Sequence, residues 1–331
     1  MANTQRLGPL KDADIRTTRL QKWYKLTGRH QILLPWMPRA VEDIDLRGFD
    51  VIFSSSHAVA KGIVPPATST HVCYCHTPVR YAWEMEEEYL NDFNVPHFLR
   101  PTIRKQLKKI RRWDLGTAKR VDAFIANSTE TQERIRRIYA RESTVILPPV
   151  ADHFFDTPMR PLEQRSGFLA VGRLVPYKRF DLLIRIANAL QLPLTIAGRG
   201  QDEQRLQKLA GPTVTFRGFV PDADLPALYA EARALLFPQH EDAGIVPLEA
   251  QACGTPVIAL GVGGALDSVK DGVTGIFFRK QDEESLADAI RRFSAMTFDP
   301  DVIREHARQF SATRFRERIR TTVDDAVGRR V

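Results

Sequence analysis

Short apolar runs recur along the chain, each stopped by glycine, proline, serine or aspartate. Between them lie stretches whose apolar positions return every three or four residues. The runs read as buried strands and the intervening stretches as helices with one apolar face. In the first half the strands are Asp50–Ser56, Thr70–His76, Asp122–Ser128 and Thr144–Leu147. A charged helix over Asp14–Leu26 precedes them, and Thr129–Tyr139 follows the third strand with Ser128 in position to cap it. The stiff pair Pro148-Pro149 marks a linker, after which the alternation restarts. Gly167–Gly172, Leu192–Gly198, Thr213–Arg217, Ala232–Pro238, Pro256–Leu260 and Gly275–Phe278 read as strands. Arg179–Leu190, Glu203–Leu209, Asp224–Glu231 and Val246–Ala252 read as the helices between them. Strands alternating with helices predict βαβ units and parallel sheets. The fold class expected is therefore α/β with two Rossmann-like, doubly wound domains, residues 1–150 and 151–310. A charged amphipathic helix in 311–331 ends the chain.

One stretch carries the most chemistry, Glu241-Asp-Ala-Gly-Ile-Val-Pro-Leu-Glu249. It lies between a strand and a helix, at the carboxyl end of the strand, where open α/β sheets bind ligands. Gly244 lets the backbone approach a ligand, and Pro247 sits near the helix start, where its missing N–H costs nothing. The free N–H groups of that helix start face an anion. Two carboxylates flank them, and ionised carboxylates are acceptors suited to hydroxyl groups. The layout suits a nucleotide sugar: diphosphate on the helix start, ribose on Glu249, sugar on Glu241. An ordinary helix start with two solvated acids is the other reading of this stretch taken alone.

Composition narrows the class. The chain has 331 residues, 43% hydrophobic and 27% charged, with a net charge of +8. The size suits two domains, and the charge favours anionic partners such as nucleotides, lipid phosphates or an anionic leaflet. No apolar run approaches a membrane span, and Met-Ala-Asn-Thr-Gln-Arg lacks the apolar stretch of a secretory signal. The three cysteines, Cys73, Cys75 and Cys253, form no disulfide framework and suit a reducing cytoplasm.

Further candidates sit at other strand ends. Arg173 and Lys178 follow Leu169-Ala-Val-Gly172, a forked cation and a point charge for phosphate oxygens. Arg217-Gly-Phe-Val-Pro221 offers backbone groups at Phe219 and Val220 to a purine edge, and is equally a glycine turn. Gly261-Val-Gly-Gly264 is a flexible loop that reaches toward an anion. His76 ends a strand beside Thr77-Pro78, placed to donate to a sugar hydroxyl. Cys73-x-Cys75-His76 resembles a fragment of a metal site, but position 76 points to the opposite strand face and no second cluster completes four ligands, so no metal is expected. Residues 100–120 carry Arg104, Lys105, Lys108, Lys109, Arg111, Arg112, Lys119 and Arg120 against the single acid Asp114, with Ile103, Leu107, Ile110 and Trp113 at helical spacing. With Trp83, Tyr89, Phe93 and Phe98 upstream, this basic amphipathic helix suits an anionic membrane surface. A nucleic-acid face and an ordinary core-packed surface helix are the alternatives.

Taken together these residues resemble a family. Val171-Gly-Arg-x4-Lys178, Gly218-Phe-Val-Pro, Phe237-Pro-x2-Glu-Asp-x-Gly-Ile-Val-Pro-x-Glu249, Ala-x-Ala-Cys-Gly-Thr-Pro-Val257 and Gly263-Gly-Ala are similar to the family 4 retaining glycosyltransferases of the GT-B fold. Ser54-Ser-Ser-His-Ala-Val-Ala-Lys-Gly62 and Cys75-His-Thr-Pro-x-Arg-Tyr-Ala-Trp83 resemble the branch that moves mannose from GDP-mannose to lipid-linked surface polysaccharides. The resemblance implies that Arg173 and Lys178 neutralise the departing diphosphate. It implies that Glu241 positions the donor sugar, that Glu249 binds the ribose, and that His76 sits beside the sugar. Gly172, Phe219, Val220, Gly244, Ile245 and Val246 complete the expected donor site. The expected reaction is hexosyl transfer with retention, by front-face attack, with no metal or other cofactor. The expected partners are a nucleotide sugar, a lipid-linked saccharide acceptor and an anionic membrane surface met by residues 100–120, with no nucleic acid. The expected location is cytoplasmic, on the inner face of the cytoplasmic membrane.

Two departures from the family pattern bear on this. Ala243 stands where the family carries an aromatic, which predicts a looser donor pocket. The family's opening strand and glycine-rich loop find no match in residues 1–48, so the N-terminal domain is expected to be incomplete and the chain a truncated form. Two alternatives stay open: an inactive nucleotide-sugar-binding remnant, and a GT-B nucleotide-sugar epimerase.

Overall fold

The structure, a computed structural model, describes residues 10, 12–28, 30–84, 86 and 96–329. They form two compact units. One comprises residues up to 127 with 131–145 and 321–331, and the other 128–130 with 146–320.

The first unit is built on a four-stranded parallel sheet, β1 (Val51–Ser56), β2 (Thr70–Cys75), β3 (Ala123–Ala126) and β4 (Ser143–Val145), in sequence order. β2 is buried along its whole length, its polar residues Thr70 and His71 included, with His71 bonded to Ser54 Oγ. Cys73, Cys75, Ala118, Phe124 and Ile135 form one core cluster. β1 is the edge strand: Ile52, Ser54 and Ser56 are buried, while Val51 and Phe53 on the other face are 40% and 44% exposed. Among the described residues before β1 there are helices and turns and no strand. Among the described residues the strand order of this sheet follows the chain order.

One expectation for this unit is corrected. The first helix is Leu20–Thr27, not Asp14–Leu26. Residues 14–17 are exposed, and Ile15, Thr17 and Thr18 are β-branched residues that lower helix propensity where no packing offsets it. The helix stops where Gly28 turns left-handed at φ 63° and donates its N–H to Tyr24 O. The serines that end β1 are part of the strand. Ser54 Oγ bonds His71 Nε2 at 2.8 Å, Ser56 Oγ accepts the Lys61 N–H, and only Ser55 faces outward.

A buried ion pair organises this unit. Lys61 and Asp114 are 1% and 0% exposed, with Nζ 2.8 Å from Oδ1. Lys61 Nζ also donates to Asp114 O and Thr117 Oγ1, at 2.7 and 2.8 Å. Asp114 Oδ2 accepts from Trp83 Nε1 and Tyr139 OH, both at 2.8 Å. The ammonium also lies 4.8 Å from the Tyr139 ring centroid, within cation–π range. Gly62 is a packing requirement: a Cβ there would lie 2.1 Å from the Trp113 ring. Lys61 and Trp83, both inside family-like motifs, thus tie the helix Arg100–Ala118 to the loop after β1 and to the segment after β2.

The second unit has a six-stranded, all-parallel sheet in the order β10-β9-β8-β5-β6-β7. The strands are β5 (Phe168–Val171), β6 (Leu194–Ala197), β7 (Val214–Gly218), β8 (Ala234–Phe237), β9 (Val257–Leu260) and β10 (Gly275–Phe278). The chain enters at the centre, runs outward to β7, and returns to the other side of β5 as β8. This is the doubly wound order, with its switch between β5 and β8. β8 and β9 are buried throughout, as the unbroken apolar runs require. Helices Phe180–Ala189 and Glu283–Ser294 join the core through Leu183, Ile186, Leu286 and Phe293. Asp282 caps the latter by accepting the Ser285 N–H at 2.8 Å.

The Lys61–Asp114 pair generates a stability prediction. Asp114→Asn leaves a buried ammonium without its counter-charge, and should lower the unfolding free energy by about 3–5 kcal/mol. Urea unfolding of the full chain measures it; a change under about 1 kcal/mol would show that the pair does not hold the unit together.

Candidate active site

The switch between β5 and β8 brings two strand-end loops together. The β5 loop carries Gly172, Arg173 and Lys178, and the β8 loop carries Glu241 and Gly244. Lys178 does not enter the following helix. A short 3-10 turn, Pro176–Lys178, precedes Arg179, which adopts the left-handed conformation at φ 54° and starts the helix Phe180–Ala189. Arg179 is held there by Gln281 Oε1 at 3.1 Å and by Asp181. Lys178 is buried, and its Nζ lies 2.6 Å from Glu241 Oε1. Residues 63 positions apart in the chain (241 − 178) thus form a partly buried ion pair at the sheet's carboxyl end. Each keeps hydrogen-bonding capacity for a third, polar group.

Gly244, at φ 64°, begins the helix Ile245–Ala252, which has no side-chain cap. The N–H groups at its start lack intrahelical acceptors and carry the positive end of the helix dipole. Glu249 lies one turn further along. Its Oε2 accepts a 2.8 Å bond from the hydroxyl of Tyr229, a residue with no exposed surface. Burial raises the Glu249 pKa, and the Tyr229 bond opposes that shift. Burial also pushes the Tyr229 hydroxyl well up, so it stays a donor.

Glycines set the loop geometry by letting backbone pass backbone. A Cβ on Gly198 would fall 1.9 Å from Gly172 O, and one on Gly200 would fall 2.0 Å from Leu174 O. The β5 and β6 loops are therefore pressed together, joined by the Leu174 N–H to Arg199 O bond at 3.0 Å. A hollow of about 270 Å³ opens beside them, lined by Gly172, Arg173, Arg199, Phe219, Val220 and Leu225 among others. Phe219 is 69% exposed, a free aromatic face at its rim. Arg173 makes no ion pair among the described residues.

The predicted site residues separate as follows. Lys178 and Glu241 touch. Gly172, Arg173, Phe219 and Val220 share the hollow, and a Cβ on Gly172 would lie 3.2 Å from Lys178 Nζ. Gly244, Ile245, Val246 and Glu249 share one helix start, but Glu249 does not line the hollow. The loop Gly261–Gly264 braces the Glu241 loop. Gly264 N–H bonds Glu241 O at 2.9 Å, and a Cβ on Gly264 would lie 2.5 Å from Ala243. Ala243 is buried beside this brace. Tyr229 and Arg199 were missed, because a helix-interior tyrosine and a turn arginine carry no signal without their neighbours.

His76 belongs to the first unit. It follows β2, donates its N–H to Ser56 O at 2.8 Å, and places Nε2 2.8 Å from Ser55 Oγ. Burial lowers its pKa, so the ring is neutral near pH 7. On the basic helix Arg100–Ala118, Leu107 and Ile110 face inward, and Arg104 and Arg111 pair with Glu86. Lys105, Lys108, Lys109, Arg112 and Lys119 face solvent with no ion pair among the described residues, and Phe98 is 79% exposed beside them. Trp83 points inward to Asp114, and Tyr89 and Phe93 lie outside the described residues.

Comparison with known proteins matches this architecture. The family described as "Glycosyltransferase Family 4" matches residues 4–153, and "Glycosyl transferases group 1" matches residues 159–310. The chain belongs to the group 1, family 4 glycosyltransferases. Sucrose-phosphate synthase from Thermosynechococcus elongatus superposes on this family member with a TM-score of 0.67 at 20% identity, covering 90% of this chain and 79% of that one. The likeness shows the GT-B fold. The D-inositol 3-phosphate glycosyltransferase of Actinosynnema mirum is 33% identical over 204 residues, 52% of this glycosyltransferase-family chain and 49% of the relative. Mannosylfructose-phosphate synthase of Agrobacterium fabrum is 28% identical over 298 residues, 78% and 64% respectively. The chain spans about half the length, or less, of the first curated relatives it matches. None of these three proteins is named as acting in surface-polysaccharide synthesis.

Tyr229→Phe removes the one bond that lowers the Glu249 pKa, so that pKa should rise further above the ordinary glutamate value. A carbon-13 NMR titration of the carboxylate reads it; an unmoved pKa would mean that Tyr229 does not set the state of Glu249.

Proposed function

We propose that this chain is a retaining hexosyltransferase that takes mannose from GDP-mannose and delivers it to a hydroxyl of a lipid-linked or polysaccharide acceptor. The observation that carries the reading is the Lys178–Glu241 pair beside an uncapped helix start at the sheet's switch point. A diphosphate on that helix start meets Lys178 and, from the hollow, Arg173. As the bond between the sugar's C1 and the diphosphate oxygen breaks, negative charge grows on the leaving group, and these cations and the helix dipole stabilise it. The acceptor oxygen forms the new bond to C1 on the same face, and its proton passes to a donor phosphate oxygen. Glu241 accepts from sugar hydroxyls, and Glu249 from the ribose. His76, on the first unit, is neutral near pH 7 and has a ring N–H able to donate to a hydroxyl. The charge on the leaving group is thus met by protein groups, with no metal or other cofactor in the scheme. The names of the curated relatives carry inositol phosphate and mannosylfructose phosphate, so small phosphorylated polyols belong in the acceptor panel beside lipid-linked saccharides.

Thermal-shift assays against GDP-mannose, UDP-glucose and ADP-glucose test the donor, since a ligand bound only by the native state raises the midpoint. GDP-mannose should give the largest rise. Lys178→Ala should lower turnover at least tenfold with small change in donor affinity, and Glu249→Ala should weaken donor binding several-fold. Wild-type kinetics in both variants would end this assignment. Donor binding without hydrolysis or transfer would instead favour a nucleotide-sugar-binding protein, and epimerised sugar without acceptor would favour an epimerase.

The outward cations of Arg100–Ala118 support a place on the inner face of the cytoplasmic membrane. Each lysine or arginine near an anionic surface contributes about 1 kcal/mol, and salt screens it. Binding to phosphatidylserine vesicles should fall several-fold between low and physiological salt, and in a variant with Lys105, Lys108, Lys109 and Arg112 changed to glutamine. Equal binding to neutral vesicles would rule this surface out.

A further inference from the structure

The hollow beside Arg173 holds a second arginine with no assigned task. Arg199 follows β6 and is exposed, and it makes no ion pair among the described residues. Its backbone is held from several directions. Gly198 donates to Gly218 O at 2.7 Å, and Arg199 O accepts the Leu174 N–H at 3.0 Å. Asp202 N–H bonds Leu174 O at 3.1 Å. The flanking glycines meet the β5 loop so closely that neither tolerates a Cβ. The side chain is aimed across the end of β7, with Nε and Nη2 3.5 and 3.7 Å from the Cβ position of Gly218. It therefore shares the hollow with Phe219 and Val220. No carboxylate lines that hollow to occupy the guanidinium.

The nearby groups divide the work. Arg173 and Lys178 lie on the β5 loop, the side of the hollow that continues to the helix start at Gly244. Arg199 lies on the β6 loop, on the side of β7, with the exposed Phe219 ring. An aromatic face beside a guanidinium fork fits a heterocycle whose edge carries two acceptors. Guanine has such an edge, O6 and N7, which arginine meets with two parallel bonds. Adenine presents a donor where guanine has O6, and two donors face each other unfavourably. Uracil has O4 but no N7, which leaves the fork one bond short.

We infer that Arg199 is the residue that selects guanine in the nucleotide of the donor, by donating to O6 and N7 while the base lies against Phe219. The inference rests on the donor-site reading above, and names the base that site prefers.

Isothermal titration of the full chain with GDP, ADP, UDP and 7-deaza-GDP tests it. Wild type should bind GDP about tenfold or more tightly than the other three, within the range that one bidentate arginine–guanine pair supplies. Arg199→Ala should lose about tenfold for GDP, change less than about threefold for ADP and UDP, and no longer distinguish GDP from 7-deaza-GDP. Arg199→Lys should recover only part of the preference, because an ammonium lacks the fork. Arg173→Ala is the contrast: it should weaken all three natural nucleotides alike, since all carry the diphosphate. If Arg199→Ala weakens all three alike, Arg199 acts on the diphosphate and the inference is overturned. It is also overturned if wild type prefers ADP or UDP, or is indifferent to the N7 atom. If wild type binds no nucleotide, the donor-site reading itself fails and takes this inference with it.

Discussion

The reversal of strand order between β5 and β8 is the constraint on which the second unit depends. Every helix that follows a strand on one side of the reversal packs away from the other side, so the two strand-end loops have no helix over them. Polar groups gather there because the loops cannot be buried by apolar residues. The Lys178–Glu241 pair is the consequence: a buried cation requires a partner, and the loop across the switch supplies one. The left-handed turn at Arg179 makes this geometry reachable, by ending the loop before Lys178 is drawn into the helix.

Glycine contacts convert that topology into a rigid frame. Gly198 and Gly200 press the β6 loop onto the β5 loop, and Gly263 and Gly264 press the β9 loop onto Glu241 and Ala243. Backbone contacts of this kind leave little freedom in the positions of Arg173, Arg199 and Glu241.

The first unit has the opposite character. Its described strands follow one another in chain order, and its polar network is internal. Lys61, Asp114, Trp83, Thr117 and Tyr139 satisfy one another in the interior, where removing any partner leaves a costly orphan. Motif residues that resemble a catalytic family's signature are therefore not all ligand contacts. Lys61 and Trp83 hold the framework, whereas His76 keeps a partly exposed ring near Ser55.

The residue pattern alone determined the strand-and-helix alternation, the parallel sheets, and the place of Glu241, Gly244 and Glu249 at a strand end. These depend on local periodicity, on where proline and glycine interrupt it, and on the fact that apolar runs of strand length must be buried. The helix over Asp14–Leu26 was overextended because charge density resembles an amphipathic surface until packing is known. What the tertiary structure alone decided is which distant groups meet. Lys61 finds Asp114 across 53 positions (114 − 61), Tyr229 reaches Glu249, and Arg199 is turned toward the Phe219 hollow. Such pairings leave no periodic trace, because a hydrogen bond or ion pair needs only two atoms about 3 Å apart and is indifferent to their separation in the chain.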